Sequence, residues 1–270
     1  MKADPTLGTD IRWMLHLLQI PIFLIFLLFT DIEAINITTV NIPKVVKAGT
    51  DQHVVLDCVY NMGNSPKTGL VIKWFVNQDL LYQWIHGNMP MGSDEFQKYI
   101  DESYKASSDP DTMYRAVKLV RPGHELSGNV RCVISTQYDE ADASRKMLVY
   151  SAEKLLRLSH SSIDPETNQV TVSCRAEDMF PKPTIIIRQD KEPIMDLKVN
   201  YKNNTDGKIS VEAIGVLDID KLQLPIILQC EVLIPEANYS SVQEYIYNGA
   251  AILRSSFLLI VIGYLITRRQ

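Results

Sequence analysis

The sequence contains no Cys-x-x-Cys pair and no two cysteines close enough to share a zinc ion, which argues against a zinc knuckle and a dithiol redox centre. It has no Gly-x-Ser-x-Gly elbow, no His-Glu-x-x-His signature and no glycine-rich phosphate loop, so hydrolase, metalloprotease and nucleotide chemistry find no support. No basic run exceeds two residues and the net charge is −5; a nucleic-acid partner is therefore not expected. The histidines (His16, His53, His86, His124 and His160) are scattered rather than spaced as metal ligands. Asp109 and Asp111, in "SDPDTMYR", could hold a calcium ion but read better as the start of a turn between strands. Neither catalysis nor a cofactor is expected.

A charge-free apolar run of the roughly 20 residues that carry a helix across a bilayer is also missing, yet both ends are apolar. Met14 to Thr30 follows Lys2 and Arg12 and precedes a polar stretch, the layout of a secretory signal. Residues 1–34 are expected to be a signal peptide cut between Thr30 and Ala34, with a retained signal anchor as the alternative. Residues 248–270 form a membrane anchor that can be read in two ways. Gly249 to Thr267 reaches spanning length only by including Arg254, whose head must snorkel, and Arg268-Arg269 would then be the cytoplasmic stop. Alternatively, Asn248, Gly249 and Ala250 are the small residues of a lipid-anchor signal, Gly249 to Ser256 its spacer and Phe257 to Thr267 its removable tail. The second reading is preferred, with Asn248 as candidate attachment residue. Either one places the chain on the outer face of the plasma membrane. In that compartment the sequons at Asn36, Asn203 and Asn238 become glycosylation candidates.

The cysteines are Cys58, Cys132, Cys174 and Cys230. An even number in an oxidising compartment points to disulfides, and four cysteines allow three connectivities. Each lies in an alternating run: Val54, Leu56, Cys58 and Tyr60 share one parity, as do Val130, Cys132 and Ile134. The same holds for Val170, Val172, Cys174 and Ala176, and for Ile226, Leu228, Cys230, Val232 and Ile234. These are half-buried strands with the sulfur inward. The separations are 74 residues and then 56. Trp74 lies 16 residues after Cys58 on the next strand-like run. Inward cysteines bridging two sheets, with a tryptophan on the following strand, describe an immunoglobulin sandwich.

The expected fold is therefore all-β, two tandem immunoglobulin-like sandwiches with pairs Cys58–Cys132 and Cys174–Cys230. Residues 35–151 form a variable-type domain, whose longer spacing leaves room for extra strands, and residues 152–247 a constant-type one. "FPKPTIII" after Cys174 fits the latter. Departures exist: the tyrosine expected two residues before the second cysteine is Val130 in one domain and Leu228 in the other. In the second domain Ile187 stands where a core tryptophan would be.

The stretch "IKWFVNQDLLYQWIHGNMP" resembles the first domain of insect cell-surface proteins of the beaten path family. There a Lys-Trp-aromatic strand precedes a Tyr-x-aromatic strand and a proline, here Lys73, Trp74, Phe75, Tyr82, Trp84 and Pro90. The broader pattern also suits butyrophilin-like and nectin-like surface proteins. The family resemblance implies adhesion and guidance between neurons or muscle, through another immunoglobulin-type protein on an opposed cell; a soluble or shed ligand or decoy is the alternative.

With Trp74 inside, Lys73 and Phe75 must face out, as must Arg131 and Val133 beside Cys132. The expected partner-binding face carries Phe75, Tyr82 and Trp84 as anchors with Lys73 and Arg131 at the rim. The competing reading is that Tyr82 and Trp84 cover a sheet edge within the domain.

Overall fold

The structure, a computed structural model, describes residues 34–249. The expected signal segment up to residue 33 and the apolar stretch from residue 250 lie outside the described residues. Nine strands build the first sandwich: β1 (Asn36–Asn41), β2 (Val45–Lys47), β3 (Val54–Asn61), β4 (Val71–Val76), β5 (Asp79–Ile85), β6 (Met91–Gly92), β7 (Val117–Leu119), β8 (Gly128–Ser135) and β9 (Glu140–Tyr150). They form a back sheet in the order β1-β3-β7 and a front sheet in the order β2-β9-β8-β4-β5-β6. The first strand is split at Pro43, so β1 pairs antiparallel with β3 while β2 crosses over to run parallel with β9. A proline suits this break because it cannot donate to either ladder.

The second sandwich comprises β10 (Leu155–His160), β11 (Gln169–Met179), β12 (Thr184–Gln189), β13 (Glu192–Pro193), β14 (Lys198–Asn203), β15 (Ile209–Asp218), β16 (Ile226–Ile234) and β17 (Tyr239–Tyr247). Its sheets are ordered β10-β11-β15-β14 and β13-β12-β16-β17. The two extra strands β5 and β6 of the first front sheet are reduced to the two-residue β13 in the second, the difference between a variable-type and a constant-type sandwich.

The period-two alternation around each cysteine produces the two cores. Leu56, Cys58, Val130, Cys132 and Ile134 are buried with Trp74 in one. Val172, Cys174, Leu228, Cys230 and Val232 surround Ile187 in the other. Cys58 bonds Cys132 and Cys174 bonds Cys230, with Cα atoms 6.5 and 6.2 Å apart. Without tyrosine corners, both sandwiches close through apolar side chains, since Val130 and Leu228 are fully buried. The chain passes from one core to the other at Ser151, whose amide donates to the carbonyl of Phe180 at 2.9 Å and whose carbonyl accepts from the Phe180 amide at 3.1 Å.

The back sheet of the first sandwich has only three strands, so residues 93–116 must cover the remaining core. Three core side chains hold this segment by its carbonyls. The Tyr60 hydroxyl donates to Asp111 (2.6 Å), the Trp74 indole to Arg115 (3.0 Å) and the Tyr82 hydroxyl to Tyr114 (3.0 Å). Each bond also satisfies a polar atom that the aromatic ring carries into the core. Arg115 adds a two-pronged pair with Asp57, at 2.8 and 3.1 Å. Asp109 and Asp111 act as a turn: the Asp111 amide donates to the Asp109 carboxylate at 2.9 Å, and the Asp111 carboxylate takes Lys67 and His86.

Asp111 is held below its ordinary value of 3.8, chiefly by the Lys67 hydrogen bond, against a smaller desolvation effect, and further by the Lys67 and His86 charges. A depressed folded value means the contribution is complete above the unfolded carboxylate range and is lost as pH falls through the folded value. Carboxyl NMR should therefore find the Asp111 midpoint below 3.8, and Lys67→Ala should move it up. An unchanged midpoint in that variant would exclude the pair.

Candidate recognition surface

The outer face of the front sheet is set by β4, whose six residues alternate strictly. Ile72, Trp74 and Val76 are buried, while Val71, Lys73 and Phe75 are half-exposed. Across the sheet Phe75 lies opposite Arg131 on β8, and the guanidinium sits 5.0 Å from the ring centroid. A guanidinium over a ring is attracted by its quadrupole and covers part of its apolar face. Lys73 pairs with Val133 on one side and Gln83 on the other. Lys73 and Arg131 stand on the two central strands of the sheet, β4 and β8. Val133 faces the same way but is buried beneath its neighbours.

Tyr82 and Trp84 are not on this face. Both are 2% exposed and belong to the first core. The cause is a register shift in the β4–β5 hairpin. Val76 pairs with Asp79 and Phe75 with Leu80, but Trp74 pairs with Tyr82, so Leu81 is an extra residue. One inserted residue exchanges the faces of everything beyond it. Tyr82 and Trp84 thereby join Trp74 and Ile72 inside, and Leu81 is buried as well. The Trp84 indole donates to the carbonyl of Asn88 at 3.1 Å and its ring meets Tyr114 edge-on at 5.8 Å. Of the expected anchors, only Phe75 faces out.

The same shift displays residues that the sequence reading passed over. Ile85 is 41% exposed, opposite Val71, and Met91 is 58% exposed, opposite Gln83. Met89, in the turn between β5 and β6, is 70% exposed, and Tyr138, at the turn joining β8 to β9, is 72% exposed. Ile85 shares the parity of Gln83, the set opposite to Tyr82 and Trp84, which was the available signal for it. The outer face thus has an apolar part on β4, β5 and β6 (Val71, Phe75, Leu80, Ile85 and Met91) and a charged part on β8 and β9 (Arg131, Asp142 and Lys146). Methionines on such a face adapt to differently shaped surfaces.

Asn36 is exposed on β1 of the back sheet, Asn203 is exposed at the end of the edge strand β14, and Asn238 stands in a left-handed conformation (φ 49°) just before β17. None is on the front sheet of the first sandwich. Asn248 is exposed after β17. Among the described residues no three His, Cys, Asp or Glu side chains are grouped to hold a metal ion, and no helix is long and apolar enough to cross a membrane.

In solved structures the chain is similar to bovine butyrophilin, with a TM-score of 0.59 at 12% identity, covering 77% of this chain and 95% of that one. It is also similar to the ectodomain of mouse nectin-like molecule 4, with a TM-score of 0.54 at 13% identity, covering 77% and 67%. The fold is a tandem pair of immunoglobulin-like domains. No family model and no curated protein matches the chain in sequence. At these identities the likeness speaks for architecture alone.

Proposed function

We propose that the chain is a cell-surface recognition protein that binds another immunoglobulin-type surface protein through the front sheet of its first domain. The observation that carries this reading is the outer face itself. It joins apolar side chains of β4, β5 and β6 to charged ones of β8 and β9 on a rigid sheet, the mixed apolar and polar composition of a protein interface. The architecture shared with a butyrophilin and a nectin-like ectodomain supports an extracellular setting. The resemblance of Lys73 to Phe75 and of Tyr82 to Pro90 to the beaten path pattern supports a role in adhesion or guidance. In this reading Phe75, Ile85 and Met91 are the anchors, Arg131 and Lys73 add charge at the centre, and Asn36, Asn203 and Asn238 carry glycans away from the contact. The chain stands on the plasma membrane through the segment beyond Asn248, with a lipid anchor preferred.

Phe75→Ala and Ile85→Ala are each expected to weaken partner binding by roughly tenfold or more while the first domain stays folded, because truncating a central anchor typically removes about 2 kcal/mol. The measurement is affinity for a partner found by screening the chain against a panel of surface proteins, with thermal unfolding run beside it. Normal binding by both folded variants would place the interface elsewhere.

A further inference from the structure

The front-sheet edge of the first domain concentrates positive charge in a chain whose net charge is −5. An open groove of about 450 Å³ lies between the end of β1, the start of β2 and the middle of β9. Its charged lining is Lys44, Arg145 and Lys146, against the single carboxylate of Glu236. The strands bring these cations together: β2 runs parallel to β9, and the Leu148 amide donates to the Lys44 carbonyl at 2.9 Å, which sets Lys44 level with the residues after Lys146. Lys47 is exposed three residues further on, about 10 Å along the strand direction. Among the described residues none of these four cations forms an ion pair, although eleven ion pairs are made elsewhere.

We infer that this edge binds a sulfated polysaccharide. Exposed, uncompensated cations on two adjoining strands attract a polyanion and release its counterions. The groove is open, its apolar lining is limited to Val40, Ile42 and Val45, all aliphatic, and its remaining lining is polar with three cations against one carboxylate. A linear chain with sulfates on successive sugars can meet Arg145, Lys146 and Lys44 along the groove, with Lys47 beyond its end adding to the positive field. The extracellular setting of such a ligand rests on the surface placement proposed above. The groove itself is separate from the anchors Phe75, Ile85 and Met91.

The test is surface plasmon resonance of the purified full chain on an immobilised heparin oligosaccharide across a range of salt. The variant Lys44→Glu/Arg145→Glu/Lys146→Glu should bind at least about tenfold more weakly, with a slope of log affinity against log salt shallower by roughly two to three. A control with the same charge change on the second domain, Lys191→Glu/Lys198→Glu/Lys202→Glu, should keep most of the affinity, and Phe75→Ala should keep all of it. The milder Lys44→Gln/Lys146→Gln serves if the reversal unfolds the domain. Unchanged affinity and slope in a folded groove variant would overturn the proposal, and so would an equal loss in the control, which would signal bulk charge. Tighter binding to a polyglutamate peptide than to the oligosaccharide would overturn it in favour of an acidic protein. Because Lys146 also lies on the outer face of the front sheet, the two sites are separated with Lys44→Glu/Arg145→Glu, which should lose polysaccharide affinity while partner binding stays intact.

Discussion

Trp74→Ala is expected to destabilise the first domain by about 3 to 5 kcal/mol, the range for removing a large buried aromatic side chain. Trp74 is fully buried between the sheets, opposite Cys132 on β8 and Tyr82 on β5. Truncation leaves a cavity where the two sheets meet. It also removes the indole bond to the Arg115 carbonyl, one of the ties that hold residues 93–116 over the open back of the sandwich. Trp84→Ala belongs to the same class, because that ring is in the core and not on the outer face. Denaturant unfolding, followed by a probe for each domain, should show the first transition moved to lower denaturant by either variant and the second left in place. A Trp84→Ala domain with unaltered stability would contradict the extra residue at Leu81, since only that shift turns the ring inward.

Removing the Cys58–Cys132 bridge with Cys58→Ala/Cys132→Ala should lower the stability of the first domain by about 4 kcal/mol. The bridge closes 74 residues, and the entropy it removes from the unfolded chain grows only with the logarithm of that number. The 56-residue Cys174–Cys230 bridge should therefore matter almost as much to the second domain. Against a stability of 5–15 kcal/mol for an ordinary domain, either loss is a large fraction of the whole. Calorimetry of each double variant should lower one transition and spare the other. A loss shared equally by both transitions would mean that the two cores unfold as one unit. Reduction of the native protein provides a second measurement that leaves the side-chain packing unmutated.

Much of the fold was legible because it depends on short-range periodicity. An alternating strand has one buried parity, so the runs around Cys58, Cys132, Cys174 and Cys230 placed each sulfur in a core, and their spacing with Trp74 between the first two matched the immunoglobulin pattern that gave the pairing. The lengths of the two closed loops separated the variable-type from the constant-type arrangement, as the six-stranded front sheet and the short β13 bear out. Parity alone also placed Lys73, Phe75 and Arg131 on the outer face.

Parity runs out where the ladder slips. The turn at Asn77 and Gln78 pairs Val76 with Asp79 and Phe75 with Leu80, and an unbroken ladder would then leave Tyr82 and Trp84 outside. The extra residue at Leu81 reverses this. Nothing in the local sequence marks it, because much of the drive comes from distant groups: a core with room for two more rings, and the Tyr114 carbonyl that takes the Tyr82 hydroxyl, while the Trp84 indole finds the nearby Asn88 carbonyl. Burying two large aromatics with hydrogen-bonded heads outweighs the lost regularity of one strand pair. The meeting of Lys44 with Arg145 and Lys146 has the same origin. Those residues lie about a hundred positions apart, and only the crossing of β2 onto the front sheet brings them to one edge. The sequence by itself determined which residues each strand buries wherever the ladder is regular; the tertiary structure decided which side chains the surface shows, because register and strand order are settled by contacts between segments far apart in the chain.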